Sequence, residues 1–210
     1  MFDDLIECSN NIQTEAGVSP VMFVSNAVLF PGCLIPIRVF ESQYRMMLKD
    51  VLCSNRTFIL SFHTEDLTQG MTGSLGLVRS CVDQRDGTSI LMLEGLKRVL
   101  LQQRVGENPY PTWKYQTSHN TDDFEMLDKT LVENLRNQIQ QLNKKVGSDF
   151  ELYCSTESVF EITSTCDRLI DITIHSLSFK KEFFNCLSTE RKIKQTLDVI
   201  DTIKRGAIKI

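Results

Sequence analysis

VLFPGCLIPIRVFESQYRMML, residues 28–48, joins an apolar segment with two prolines directly to a helical pattern. Pro31 fixes the backbone at the first central position of a turn, and Gly32 permits the positive φ that a type II turn needs at the second. Pro36 cannot donate to a strand neighbour, so it predicts an edge or the end of a short strand. Glu41 is expected in the first turn of the helix, where its charge suits the dipole. We interpret these residues as scaffold rather than as a site of chemistry.

Short apolar runs bounded by turn residues predict a β-rich domain over residues 18–118. Asp86-Gly87, which lies between two such runs, is a strong hairpin signal. A single helix is expected within this region, near residues 44–52. The predicted strands cover residues 20–24, 57–63, 73–84, 89–95, 97–105 and 112–117. Because short turns join them, they predict a curved, mostly antiparallel sheet or a small barrel.

Apolar residues recur every three or four positions in the second half, which predicts an α-helical bundle over residues 121–210. A long helix is expected from about Phe124 to Val146, with Asp122 and Glu125 at capping-box spacing. Further helices are predicted over residues 157–163, 167–176 and 179–186, and a last one from Ser188. The fold class is therefore α+β, with a β-rich domain followed by helices.

Composition indicates a soluble globular protein. The chain has 210 residues, of which 41% are hydrophobic and 24% charged, and its formal net charge is -4. The basic excess that nucleic-acid binders use against phosphates is missing. No apolar run approaches the ~20 residues that span a bilayer, and the acidic N-terminus lacks a signal-peptide pattern. We expect a cytoplasmic protein that binds no membrane, and we do not expect nucleic acid as its partner.

Sequence motifs for catalysis, cofactors and metals are missing. The ten glycines form no phosphate-binding loop, the three histidines lie at no metal-ligand spacing, and no GxSxG occurs. The seven cysteines form no CxxC pair and are expected to be free thiols. We therefore expect no enzyme, metal or cofactor. A cysteine nucleophile that only the fold assembles stays open as an alternative.

The opening stretch, extended back to residue 20, resembles the start of the Lon N-terminal, or substrate-binding, domain family. The pattern of that family is matched in order by Val28-Leu29-Phe30-Pro31-Gly32, Pro36-Ile37, Phe40-Glu41 and Tyr44-Arg45. The resemblance continues through Gly73, Asp86-Gly87, Glu94-Gly95, Arg98 and the helical part, and covers residues 20–203. We assign structural roles to the motif residues Pro31, Gly32, Pro36, Glu41, Gly73, Asp86, Gly87, Glu94, Gly95 and Arg98.

The resemblance implies a PUA-like β-rich domain and a helical bundle, with a surface that captures exposed apolar segments of other proteins. It implies a free-standing module without the ATPase and protease parts of Lon proteases. Its partners would be unfolded or damaged polypeptides in protein quality control, and a separate ATPase or protease. Large aromatic side chains suit varied partners because they bury much area. The candidates for this peptide-binding surface are Phe23, Phe30, Tyr44 and Trp113.

Two further alternatives stay open. RNA binding is suggested by the implied PUA-like fold together with the basic C-terminal helical stretch, which carries eight cations between Lys180 and Lys209. An exposed sheet edge would also allow a homodimer.

Overall fold

The structure, a computed structural model of the chain, describes residues 15–63, 70–118, 124–146 and 158–206. The strands in these ranges are β1 (Ala16–Phe23), β2 (Leu34–Val39), β3 (Thr57–Ser61), β4 (Met71–Asp83), β5 (Ser89–Gly106) and β6 (Thr112–Thr117). The helices are α1 (Ser42–Leu52), α2 (Lys129–Val146), α3 (Val159–Thr173), α4 (Leu177–Asn185) and α5 (Thr189–Lys204). The predicted α+β class, a β-rich part with one helix followed by helices, is confirmed.

The strands form one sheet in the order β2-β5-β4-β3-β1-β6, and β5 also pairs with β6. All pairs are antiparallel except β1 with β3. The extra β5–β6 pairing means that the sheet curves back on itself, as the sequence predicts. Among the described residues, β2 pairs with β5 alone, so its other side is a sheet edge.

The Asp86-Gly87 hairpin joins β4 to β5 as predicted. Gly87 has a φ of +77°, and its N–H donates to the Gln84 carbonyl over 3.0 Å. Asp86 Oδ1 accepts from the Thr88 N–H over 3.0 Å. The aspartate therefore stabilises the turn through its side chain, and the glycine supplies the left-handed conformation that other residues rarely adopt.

The turn at residues 30–33 is also confirmed, and it packs directly on β5. Cys33 N–H donates to the Phe30 carbonyl over 3.1 Å, and Gly32 has a φ of +76°. Gly32 N–H donates to the Gly95 carbonyl over 2.7 Å. A Cβ on Gly95 would lie 2.2 Å from the Phe30 carbonyl oxygen. Only glycine at position 95 therefore permits this approach, which links two separate motifs of the sequence.

The two strands predicted over residues 89–95 and 97–105 are one strand, β5. Leu75 pairs with Lys97 while Gly76 pairs with Gly95, so Leu96 is an extra residue in the ladder. This irregularity bends the strand without ending it. The prediction of a break is wrong because Gly95 serves the contact with residues 30–33 rather than a turn.

The helix boundaries differ from the predictions at three places. Residues predicted as two helices form the single α3, capped by Ser158 Oγ, which accepts from the Glu161 N–H. Helix α2 begins at Lys129 rather than near 124, because Asp128 Oδ1 accepts from the Thr130 N–H over 2.8 Å and caps the helix there. Glu41 is the N-cap residue of α1 rather than part of its first turn.

Helix α5 begins after Ser188 as predicted. The predicted capping residue Asp122 lies outside the described residues, as do residues 119–121 of the domain junction that the sequence predicts at 118–121. The division into domains over residues 18–118 and 121–210 stays a prediction.

The helices and the sheet share a hydrophobic core. Val28, Phe30, Cys33 and Phe62 from the sheet part belong to a buried cluster whose other members come from α2 to α5 and Leu127. The Phe30 ring lies 6.2 Å from that of Phe183 and 5.7 Å from that of Phe184. The residues of the opening stretch therefore join the sheet to the helices.

A buried cluster of charged side chains lies between the sheet and the helices. Arg98 on β5 donates two 2.8 Å hydrogen bonds to the Asp167 carboxylate on α3, and its Nε donates to the Phe184 carbonyl. Lys192 on α5 is fully buried, and its Nζ lies 3.5 Å from Asp167 Oδ1. One carboxylate therefore faces two cations, and burial lowers the pKa of Lys192.

Candidate substrate-binding groove

A groove of about 630 Å³ runs along the free edge of β2. We call it the β2 groove; it is lined by residues 22–27, residues 36–41 and Tyr44. Residues 36–41 contribute inward-facing Ile37 and Val39 as well as outward-facing Pro36 and Arg38. Both faces of the strand contribute, as expected when a groove follows an edge rather than one face of a sheet.

The opposite wall of the groove is held by hydrogen bonds on several sides. Phe23 N–H donates to Tyr44 Oη over 3.2 Å, and Val24 N–H donates to the Ser61 carbonyl over 2.8 Å. Lys181 on α4 donates from Nζ to the Ser25 carbonyl over 2.8 Å. The sheet, α1 and α4 therefore hold the loop at residues 24–27 in place opposite β2.

Phe40 is the most exposed aromatic side chain of the groove, with 63% of its surface accessible. It follows β2 directly and precedes the N-cap of α1, so the chain leaves the sheet at this residue. Tyr44, one turn into the helix, is buried at the floor. The groove therefore has an exposed aromatic ring at its side and a buried aromatic ring at its floor.

The electrostatics of the groove are balanced. Its lining residues include one cation, Arg38, and one anion, Glu41. Arg38 also forms an exposed 2.7 Å ion pair with Asp86. Hydrogen bonds from Thr88, followed by the charge of Arg38, lower the pKa of Asp86. The groove therefore carries no excess charge that would select a highly charged ligand.

The four predicted peptide-binding residues separate into two groups. Phe23 and Tyr44 line the β2 groove and are in contact through the Phe23 N–H. Phe30 and Trp113 are buried in two different hydrophobic clusters. The surface predicted for Phe30 and Trp113 is corrected accordingly, because their large apolar rings gain more by packing in the core than by facing water.

Phe40 is the residue that sequence reasoning missed as a binding candidate. The signal for it is the period of two along β2: Ile37 and Val39 point inward, so Pro36, Arg38 and Phe40 fall on the outward side. Extending this alternation by one residue, to the position just before the helix, identifies Phe40 as an outward-facing side chain.

The remaining motif residues have contacts that explain their presence. A Cβ on Gly73 would lie 2.8 Å from the Leu60 carbonyl oxygen in the neighbouring strand. Glu94 on β5 forms an ion pair with Arg79 on β4. Pro36 lies on the edge strand, as its missing donor predicts.

Neither a metal-binding cluster nor an activated thiol at Cys33 is found among the described residues. No group of three or more His, Cys, Asp or Glu among them could hold a metal ion. Cys33 is buried, and burial together with the charges of Asp171 and Asp167 raises its pKa to about 12. A thiol with this pKa stays protonated near neutral pH and is a poor nucleophile. In the described ranges, no helix is both long and apolar enough to cross a membrane.

Comparison with protein families identifies the relatives of this fold. Residues 18–202 match the profile of the ATP-dependent protease La (LON) substrate-binding domain. The chain belongs to the Lon substrate-binding domain family. The match includes β2, α1 and every lining residue of the groove.

Relatives of known sequence and structure agree with this assignment. Over 199 residues the chain is 25% identical to a Lon protease of Desulfosudis oleivorans, covering 89% of this chain and 23% of the relative. The chain therefore spans about a quarter of that protease.

Two solved structures share the fold. The N-terminal domain of the Mycobacterium avium complex Lon protease has a TM-score of 0.67 at 14% identity, covering 88% of this chain and 98% of that domain. A Lon N-terminal domain protein from Xanthomonas campestris has a TM-score of 0.59 at 17% identity, covering 87% and 98% respectively.

Proposed function

We propose that this chain captures exposed apolar segments of unfolded or damaged polypeptides in the β2 groove. Its membership of a substrate-binding domain family supports a role in holding protein substrates. The observation that carries the proposal is the exposed Phe40 beside a charge-balanced groove that Phe23 and Tyr44 also line. Apolar burial on aromatic rings accepts many sequences, which suits a receptor for unfolded chains.

The proposed mode of action is binding rather than catalysis. The matched family is the substrate-binding part of Lon rather than its protease part. Burial and nearby carboxylates keep the thiol of Cys33 protonated, which removes one candidate nucleophile. The chain would therefore act as an adaptor or regulator in cytoplasmic protein quality control, passing its client to a separate ATPase or protease.

Calorimetric titration with reduced, carboxymethylated α-lactalbumin tests the proposal, since this probe is permanently unfolded. We expect binding of the unfolded probe and no heat with native α-lactalbumin. Phe40→Ser should weaken the affinity at least fivefold, because about 1 kcal/mol or more of apolar burial is lost.

Phe160→Ser is the matched control, because Phe160 on α3 is 65% exposed and is not a lining residue of the groove. Its affinity should stay within twofold of the wild-type value. Absence of binding at high micromolar concentration, or equal losses in the two variants, would contradict the proposal.

The cations of the C-terminal helices give RNA binding less support than the groove gives to polypeptide binding. Lys180 pairs with Asp171 over 2.7 Å, and Lys194 pairs with Glu190 over 2.6 Å. Lys192 is buried and unavailable to a phosphate. Cations that are paired or buried attract phosphates weakly, so we expect no salt-dependent retardation of RNA in a gel.

A further inference from the structure

The free edge of β2 adds a second kind of contact to the apolar lining of the groove. In an antiparallel pair, alternate residues direct both their N–H and C=O groups toward the partner strand. Gly95 N–H donates to the Cys33 carbonyl, so the main-chain groups of Cys33 point toward β5. Every second residue after it has the same orientation, namely Ile35, Ile37 and Val39. The intervening residues therefore direct their main-chain groups away from β5 and toward the edge.

The position of Pro36 supports the conclusion that alternate residues of β2 direct their main-chain groups toward the free edge. Proline lacks an N–H, and on edge strands it lies where the missing donor faces away from the neighbour. Pro36 and Arg38 both line the β2 groove, so the groove receives the Pro36 carbonyl and the N–H and carbonyl of Arg38. No strand among the described residues uses these groups, because β2 pairs with β5 alone.

We propose that the β2 groove binds its polypeptide substrate as an added β-strand on the free edge of β2. The segment would be extended, uncharged and apolar at alternate positions, and about five residues long. Residues 36–40 set this length, since the four steps between five extended residues span about 13 Å at ~3.3 Å per step. This inference rests on the proposed function and specifies the conformation of the substrate.

Strand addition assigns separate roles to the main chain and the side chains. Hydrogen bonds to Arg38 and Pro36 are the same for every substrate sequence, so they provide affinity without selecting residues. Phe23 and Phe40 contact alternate side chains of the added strand and favour apolar ones. Charged segments are disfavoured, because Arg38 and Glu41 leave the lining without net charge.

The second wall of the groove favours a single chain over a second copy of this protein. The loop at residues 24–27 faces β2 across the groove and is fixed by the hydrogen bond from Lys181 to Ser25. A lone extended segment can enter between these two walls. The rim of another sheet carries neighbouring strands and loops that would meet the loop at residues 24–27.

Single N-methylation of a bound peptide tests strand addition directly. The probe is an uncharged ten-residue synthetic peptide with Val, Phe or Leu at alternate positions and Thr between them, compared with versions methylated at one amide each. N-methylation removes a main-chain donor and leaves the side chain in place. We expect five- to tenfold losses of affinity at alternate positions, and changes within twofold at the positions between them.

A protein variant tests the same contact from the other side. Arg38→Pro removes an N–H that faces the groove, and Arg38→Ala is its control because both variants lose the same side chain and its ion pair with Asp86. We expect Arg38→Pro to bind the peptide at least fivefold more weakly than Arg38→Ala. Circular dichroism establishes that both variants are folded, and the methylated peptides keep the test decisive if Arg38→Pro is not.

The failure of this inference can be told from the failure of the proposed function. A peptide that binds but tolerates N-methylation at every position would overturn strand addition and leave capture in the groove intact. Strand addition would also be overturned, and capture in the groove left intact, if the peptide failed to bind while unfolded α-lactalbumin still bound in a Phe40-dependent way. Light scattering that detects a dimer that Arg38→Pro weakens and that the bound peptide does not displace would assign the edge to a second copy and overturn the inference.

Discussion

Two neighbouring segments within residues 28–48 have different roles. In residues 28–33, the turn segment, the side chains of Val28, Phe30 and Cys33 pack against the helices, and Phe30 has no accessible surface. Residues 36–41, the groove segment, line an open groove, and Phe40 is 63% exposed. The same residue type therefore stabilises the fold at one position and offers a contact surface ten residues later. The difference arises from where each segment lies: the turn segment packs on Gly95 and helix α4, whereas most of the groove segment belongs to β2, the edge strand of the sheet.

Removing the buried carboxylate beneath the turn segment should produce the largest effect. Asp167→Asn leaves Arg98 and Lys192 without a compensating charge, and we expect a loss of about 3–5 kcal/mol in the free energy of unfolding. Urea denaturation measures this loss. Asp171→Asn is the control, because its 2.7 Å pair with Lys180 is partly exposed and should contribute less. Equal losses in both variants would show that the buried cluster is not special.

A substitution in the turn segment should have a smaller effect. Gly32→Val forces a β-branched residue to a φ of +76°, although a Cβ there would have no atom within 4 Å. The cost is therefore backbone strain alone, about 1–2 kcal/mol. Gly32→Asn, which tolerates this conformation better, should lose less in thermal denaturation. An unchanged melting temperature in Gly32→Val would refute the turn assignment.

The buried Lys192, close to the turn segment, should make the free energy of unfolding depend on pH. Burial lowers its pKa in the folded state, so in the pH window between the folded pKa and the ordinary 10.5 the unfolded chain binds more protons than the folded one. The stability that depends on this residue therefore rises as the pH increases toward 10.5. In a urea-denaturation series from pH 7 to 10, wild type should gain stability relative to Lys192→Met as the pH enters this window, by at most ~1.4 kcal/mol per pH unit. A difference that stays constant over this range would contradict the assignment.

Thiol labelling should show that the turn segment is closed to solvent in the native state, with an exposed cysteine outside both segments as the reference. Cys33 in the turn segment is buried and its pKa is raised to about 12, while Cys53 at the end of α1 is exposed. In the native state a maleimide should therefore modify Cys53 long before Cys33, which should react at the rate of unfolding. Mass spectrometry of digested samples measures both rates. Rapid native labelling of Cys33 would indicate an activated thiol and revive the hypothesis of a cysteine nucleophile.

Local patterns in the sequence predicted much of the fold. The turn at Pro31-Gly32, the Asp86-Gly87 hairpin and the start of α5 after Ser188 all follow from residue types with strong backbone preferences. The same reasoning misplaced Gly95 as a strand end. Its role is a close approach by residues far away in sequence, and no local pattern reports such a contact.

The groove was only partly predictable for a related reason. Aromatic residues are equally visible in the sequence whether they are buried or exposed, so Phe30 and Trp113 were selected together with Phe23 and Tyr44. Alternation along β2 could have identified Phe40. The wall formed by residues 24–27 depends on Lys181 of α4, more than 150 residues away in the chain, and required the structure.

The most direct test measures stability and binding on the same two variants. Phe30→Leu should lower the free energy of unfolding by about 1–2 kcal/mol and leave the affinity of the folded protein for unfolded α-lactalbumin within twofold. Phe40→Ser should change stability by less than about 0.5 kcal/mol and weaken that affinity at least fivefold. This crossed pattern is the predicted result. An affinity that survives Phe40→Ser, or losses of stability and affinity that go together at both positions, would contradict the division between a structural turn segment and a binding groove segment.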